Sequence, residues 1–124
     1  LRPVAGDRGT FVWTPANNRL GWTSYLGREP SESFTPPPYA VAARRVDLAG
    51  LPPAWIGVGE LDLFQPEDVR YAERLRAAGV PVELLELPGM YHGADAILPG
   101  ADVSQEFRTA SVEALRGALT RASD

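Results

Sequence analysis

The chain has 124 residues, enough for one domain and too few for two of ordinary size. Its 44% hydrophobic content, with three Trp, four Tyr and four Phe, suits a packed core and excludes a disordered chain. A net charge of −4 with no basic face argues against nucleic acid as a partner. Cysteine is absent, which excludes disulfides and thiolate chemistry and leaves the compartment open, the cytoplasm being favoured. No apolar run approaches the roughly 20 residues that cross a bilayer, so no membrane partner is expected. The first residue is Leu1 rather than Met, and no signal peptide is visible, so a processed or truncated chain is expected.

Residues 1–10 give no periodic signal. In 13–26, Thr14 as N-cap and Pro15 as first helical residue predict a helix that Gly27 stops. Leu20 shares a face with Ser24, and Trp22 with Tyr25 and Leu26, which predicts one apolar side. Residues 28–53 are rich in proline and read as a long loop with one helical turn near 41–45. The run 54–59 (Ala-Trp-Ile-Gly-Val-Gly) is short, apolar and bounded by Pro52-Pro53 and an acidic loop. It predicts a strand buried on both faces.

Pro66-Glu67-Asp68 opens an amphipathic helix with Val69, Ala72 and Leu75 on its apolar face. Acidic residues sit in its first turn, and Arg74 and Arg76 near its end. Residues 80–87 read as a second strand that Pro88-Gly89 stops, with Val82 and Leu84 on one face and Leu85 and Leu87 on the other. A last helix is predicted over about 102–122, with Val103, Phe107, Ala110, Ala114, Leu115 and Ala118 as its apolar stripe. No internal repeat or low-complexity tract interrupts this order.

Strand, helix, strand, helix argues for an α/β fold with parallel strands and flanking helices. Two strands leave both sheet edges open and bury too little. The sheet is therefore expected to be incomplete in this chain, with either a homodimer or a missing N-terminal segment completing it.

In such sheets, ligands bind outside the carboxyl ends of the strands. Asp62 follows the first strand and His92 the second, with one whole helix between them. Neighbouring strands lie about 4.8 Å apart, so a carboxylate and an imidazole at one edge can meet. A carboxylate on Nδ1–H fixes the tautomer that leaves Nε2 free to accept a proton. The triad of this architecture runs nucleophile, acid, base, so a nucleophile is expected upstream.

Several segments resemble one family in order and spacing. Leu51-Pro52-Pro53-Ala54-Trp55 through Gly59-Glu60-Leu61-Asp62-Leu63-Phe64 is similar to the acid segment of hormone-sensitive-lipase-like esterases. The helix and strand 71–84 resemble those that follow it, and Pro88-Gly89-Met90-Tyr91-His92-Gly93 resembles the family's catalytic His loop. Upstream, 21–27 (Gly-Trp-Thr-Ser-Tyr-Leu-Gly) is similar to the segment after the nucleophile helix. The resemblance implies a C-terminal portion of an α/β-hydrolase, with 1–124 as a single partial domain, 1–10 irregular and 51–98 carrying the acid and base. It implies Asp62 and His92 as catalytic residues, no cofactor, and a small, fairly apolar ester as substrate of the complete enzyme.

This sequence also departs from the family. No serine (24, 31, 33, 104, 111 or 123) sits in a G-x-S-x-G elbow, and His92 is the sole histidine, so the His-Gly-Gly oxyanion motif is absent. The chain alone is thus expected to be inactive. Where the family usually has an aromatic, Ala94 stands, which is expected to widen the pocket beside the base.

Plainer readings stand beside these. Asp62 alone suits a helix cap, a lone His a solvated loop residue, and Asp95 a surface carboxylate. Glu60 is the rival acid. Trp13, Trp22 and Trp55 read as core, and Tyr25 and Tyr91 as packing groups, Tyr91 also as a lesser candidate for an acyl pocket. One His, no Cys and scattered carboxylates give a metal site no support. Gly57-x-Gly59 lacks the third glycine of a phosphate cradle. The alternative to an esterase segment is a non-catalytic interaction or dimerisation module.

Overall fold

The computed structural model describes residues 6–31, 33–37 and 39–121. Helix α1 spans Pro15–Leu26, as its cap signals predict: Asn17 N–H donates to Thr14 Oγ1, the Asn17 side chain answers the Thr14 N–H, and Gly27 at φ 70° ends it. A single 3-10 turn, Ala42–Arg44, lies in the proline-rich loop. Then follow β1 (Ala54–Gly59), α2 (Gln65–Ala77), β2 (Val82–Leu87), α3 (Ala94–Ile97) and α4 (Asp102–Arg121). The predicted end of the last helix at residue 122 lies outside the described residues.

β1 and β2 pair in parallel, with Ala54 opposite Val82 and Gly59 opposite Leu87. Because the registers match, alternate residues of both strands share a face. Ala54, Ile56 and Val82 pack against Leu75 and Val80 and, from the loop, Leu48. Leu85 and Leu87 pack on the other face with Val103, Phe107, Met90 and Ala94. Helices thus cover both faces, α2 on one and α4 on the other. Leu75, 2% exposed, contributes about 2 kcal/mol by this burial. Trp55 lies edge-on to Phe107, with ring centroids 5.7 Å apart, across the space that Gly57 leaves free.

Three expectations change, and one element had no counterpart among them. First, β1 is not buried on both faces along its length: only Val58 and Gly59 are buried, and 54–57 are half-buried. Among the described residues the sheet has two strands, so β1 has one neighbouring strand there and its other edge is uncovered by any other. Second, α1 buries no residue; Leu20 is 67% and Tyr25 65% exposed, because nothing among the described residues packs on that side. Third, the apolar stripe of α4 is covered only as far as Ala114; Leu115 is 61% exposed and Ala118 is exposed as well. A helix of 20 residues is about 30 Å long whereas six-residue strands reach about 20 Å, so roughly its last third has no sheet beneath it. Helix α3 had no sequence signal, being only four residues long. The indole N–H of Trp55 and the hydroxyl of Ser104 are buried without a hydrogen-bond partner among the described residues.

Candidate active site

The carboxyl ends of β1 and β2 are laced together by backbone. Glu60 N–H donates to Leu87 O at 2.9 Å, and Leu61 N–H to Met90 O at 2.9 Å. The second bond needs the loop after β2 to lie directly on β1, and Gly59 allows it: a Cβ there would sit 2.2 Å from Met90 O. This contact, invisible as a motif, sets the height of the loop that carries His92.

On this frame the structure brings Asp62 and His92 together. His92 Nδ1 and Asp62 Oδ2 are 2.9 Å apart, and Phe64 N–H donates to the other carboxylate oxygen, Oδ1, at 2.9 Å. Both oxygens are engaged, so the carboxylate cannot swivel. The Asp62 side chain is 12% exposed and that of His92 36%, so the acid is enclosed and the base faces outward. With Nδ1–H donating to Asp62, Nε2 is the acceptor nitrogen, and among the described residues nothing hydrogen-bonds to it. Glu60, the rival acid, instead accepts Gly89 N–H at 3.0 Å and braces the loop from outside. Asp95 lies in the first turn of α3, and its side chain makes no hydrogen bond or ion pair among the described residues.

Two aromatic rings bracket the imidazole. Phe64 lies edge-on at 5.6 Å and Trp13 is tilted at 5.9 Å between centroids. Phe11 meets Tyr91 at 5.6 Å in the same way. Between Phe11 and Trp13, Val12 has φ 61°, a costly conformation for a β-branched residue that turns this segment onto the His loop. Sequence reasoning placed Trp13 in the core and missed this role, since nothing local ties residue 13 to residue 92. Tyr91 packs, as expected, whereas Tyr25 is largely exposed against Trp22. Ala94, 3% exposed, sits under the loop with Leu87 and Met90.

A third carboxylate joins the pair. Asp68, in the first turn of α2, has its pKa raised from 3.8 to about 6, chiefly by burial and then by the charges of Asp62 and Glu67, with His92 opposing. Its folded pKa lies above the unfolded one, so the folded state binds more protons and stability falls as pH rises from about 4 to about 6. Asp68→Asn is therefore expected to stabilise the chain by about 1 kcal/mol at pH 7, after allowance for solvent screening of a half-buried group, and to leave it unchanged near pH 3.5. Urea denaturation at the two pH values checks this, and an equal effect at both would contradict it.

A cleft of about 480 Å³ opens on the far side of Phe64, between α1, Pro30, Phe34, Pro36, Val41, Ala43 and Arg44 of the proline-rich loop, and the first turns of α2. Neither Asp62 nor His92 lines it. Among the described residues no group of His, Cys, Asp and Glu is placed to hold a metal ion, and no helix is long and apolar enough to cross a membrane.

Comparison with known proteins places this geometry in context. A family model described as alpha/beta hydrolase fold matches residues 4–96. Carboxylesterase NlhH of Mycobacterium tuberculosis is 50% identical over 56 residues, covering 45% of this chain and 18% of the relative. Esterase LipW of Mycobacterium marinum superposes with a TM-score of 0.76 at 40% identity, over 95% of this chain and 37% of the other. A bacterial heroin esterase gives 0.71 at 36%, over 85% and 33%. The matched region is thus under a fifth of the curated relative's length and about a third of the solved structures. Since the family model covers most of the chain, the chain belongs to the alpha/beta hydrolase fold family, on the hormone-sensitive-lipase-like esterase side that its sequence resembles.

Proposed function

We propose that this chain supplies the acid and the base of a carboxylic ester hydrolase whose nucleophilic serine lies outside it. The single observation that carries this reading is the 2.9 Å bond between Asp62 and His92, with Nε2 left open. In the complete enzyme the serine oxygen attacks the ester carbonyl while His92 Nε2 takes the serine proton. The resulting imidazolium, stabilised by Asp62, returns that proton to the departing alcohol and leaves an acyl-serine. Water then repeats the cycle: His92 takes a proton from it, its oxygen attacks the acyl carbon, and the proton goes back to serine as the carboxylic acid leaves. Backbone N–H donors outside this chain hold the oxyanion.

A second reading, a non-catalytic module that docks by its sheet edge, draws support from the two strands, each with one unpaired edge among the described residues. One assay separates the two. The complete protein encoded with this chain is expected to hydrolyse a short-acyl chromogenic ester, and this chain alone is expected not to. Inactivity of the complete, folded protein would leave the docking module as the better account. Turnover by the chain alone, lost in His92→Ala, would place the nucleophile within it.

A further inference from the structure

The cleft beyond Phe64 is not used by the proton chemistry, and its charge is opposite to that of the chain. The net charge is −4, yet Arg8, Arg44, Arg70 and Arg74 line this one cleft, against the single carboxylate of Glu67. Its apolar lining comes from Trp22, Leu26, Phe34 and Tyr71. Three of the arginines are held by neutral backbone acceptors. Arg8 Nε donates to Glu60 O at 2.9 Å, Arg44 Nη1 to Phe34 O at 3.1 Å, and Arg74 to the carbonyls of Ala43 and Arg45. Such bonds fix a guanidinium in place without neutralising it. The Arg70 side chain has no hydrogen-bond or ion-pair partner among the described residues, and none of the four forms an ion pair there.

Guanidinium groups at the rim of an apolar concavity focus a positive potential, and their forked donors match a carboxylate. The cleft also adjoins the base. Phe64 both lines the cleft and lies 5.6 Å from His92, and Asn18, which also lines it, accepts from the indole N–H of Trp13, the other ring beside His92.

We propose that this cleft receives the far limb of an ester substrate that ends in a carboxylate, with Arg70 as its main contact. The inference rests on the esterase reading for its scissile bond, and on the cleft alone for its selectivity. A volume of about 480 Å³ accommodates several methylenes before the carboxylate.

The test uses the complete protein and two matched pairs of esters, followed by pH-stat titration. In one pair the carboxylate is on the acyl side (ethyl hydrogen glutarate against ethyl valerate). In the other it is on the alcohol side (the acetate of 4-hydroxybutyrate against butyl acetate). In at least one of the pairs, KM for the anionic ester is expected to be about 5–10-fold lower than for its neutral partner, and Arg70→Gln is expected to collapse that ratio toward one. Raising salt from low to molar concentration should shrink the ratio as well. Equal KM values within both pairs, or a ratio that Arg70→Gln leaves intact, would overturn the proposal.

A parallel titration of glutarate against intrinsic tryptophan fluorescence, to which Trp22 contributes, keeps the two readings distinct. Saturable binding weakened by Arg70→Gln in a protein that cleaves no ester upholds the cleft and rejects the esterase. Turnover of neutral esters with no glutarate binding does the reverse.

Discussion

Replacing Asp62 by Asn is expected to lower kcat for ester hydrolysis by the complete protein about 10³–10⁴-fold while leaving the fold intact. The reason lies in the backbone. Phe64 N–H donates to Oδ1 of residue 62, and an amide oxygen accepts that bond equally well. The carboxamide NH₂ is then forced to the position now held by Oδ2, 2.9 Å from His92 Nδ1. It can only donate there, so Nδ1 becomes the acceptor and the proton moves to Nε2. An imidazole with Nε2–H cannot take a proton from serine, and the imidazolium also loses its counter-charge. The change of tautomer is measurable without any nucleophile: the imidazole nitrogen shifts of this chain should exchange roles between the native form and the Asp62→Asn variant. A loss of activity under 10-fold, or unchanged nitrogen shifts, would remove Asp62 from the orienting role.

What was legible in the sequence had local causes. Thr14-Pro15 and Gly27 mark α1, Pro52-Pro53 and the acidic loop bound β1, and the first-turn acids with Arg74 and Arg76 mark α2, since caps and turns are decided within a few residues. The meeting of Asp62 and His92 was also legible, because parallel strands joined by one helix put their carboxyl ends side by side. What was not legible depends on contacts distant along the chain. Trp13 beside His92 and Phe11 against Tyr91 have no periodicity to report them. Asp68 looked like a routine first-turn acid, and only the fold half-buries it within reach of the charges of Asp62 and Glu67, which with burial raise its pKa. The burial of β1, α1 and the end of α4 was overestimated because an apolar pattern shows what a face can cover, and the second surface must also be there.

Gly59 carries the other large effect, because it joins the fold to the site. In Gly59→Ala the new methyl group would lie 2.2 Å from Met90 O, 2.6 Å from Met90 C and 2.9 Å from Met90 Cβ. Two of these are backbone atoms, and the carbonyl already accepts Leu61 N–H, so no side-chain rotation relieves the contact. The loop after β2 has to lift, which breaks that bond and exposes Met90, now 3% exposed in the cluster with Leu87 and Ala94. Overpacking of this kind costs about 2–3 kcal/mol. His92 follows Met90 by two residues and Asp62 follows Gly59 by three, so the same displacement pulls base from acid. An error of about 1 Å there is worth on the order of 100-fold in rate. Gly100→Ala is the control, since a Cβ at Gly100 meets nothing within 4 Å. Denaturant unfolding should show a clear loss of stability for Gly59→Ala and less than about 0.5 kcal/mol for Gly100→Ala. Coincident midpoints for the two variants would mean that the His loop yields freely at Met90. The distance between acid and base would then be set elsewhere, and the backbone bond from Leu61 would no longer explain their meeting.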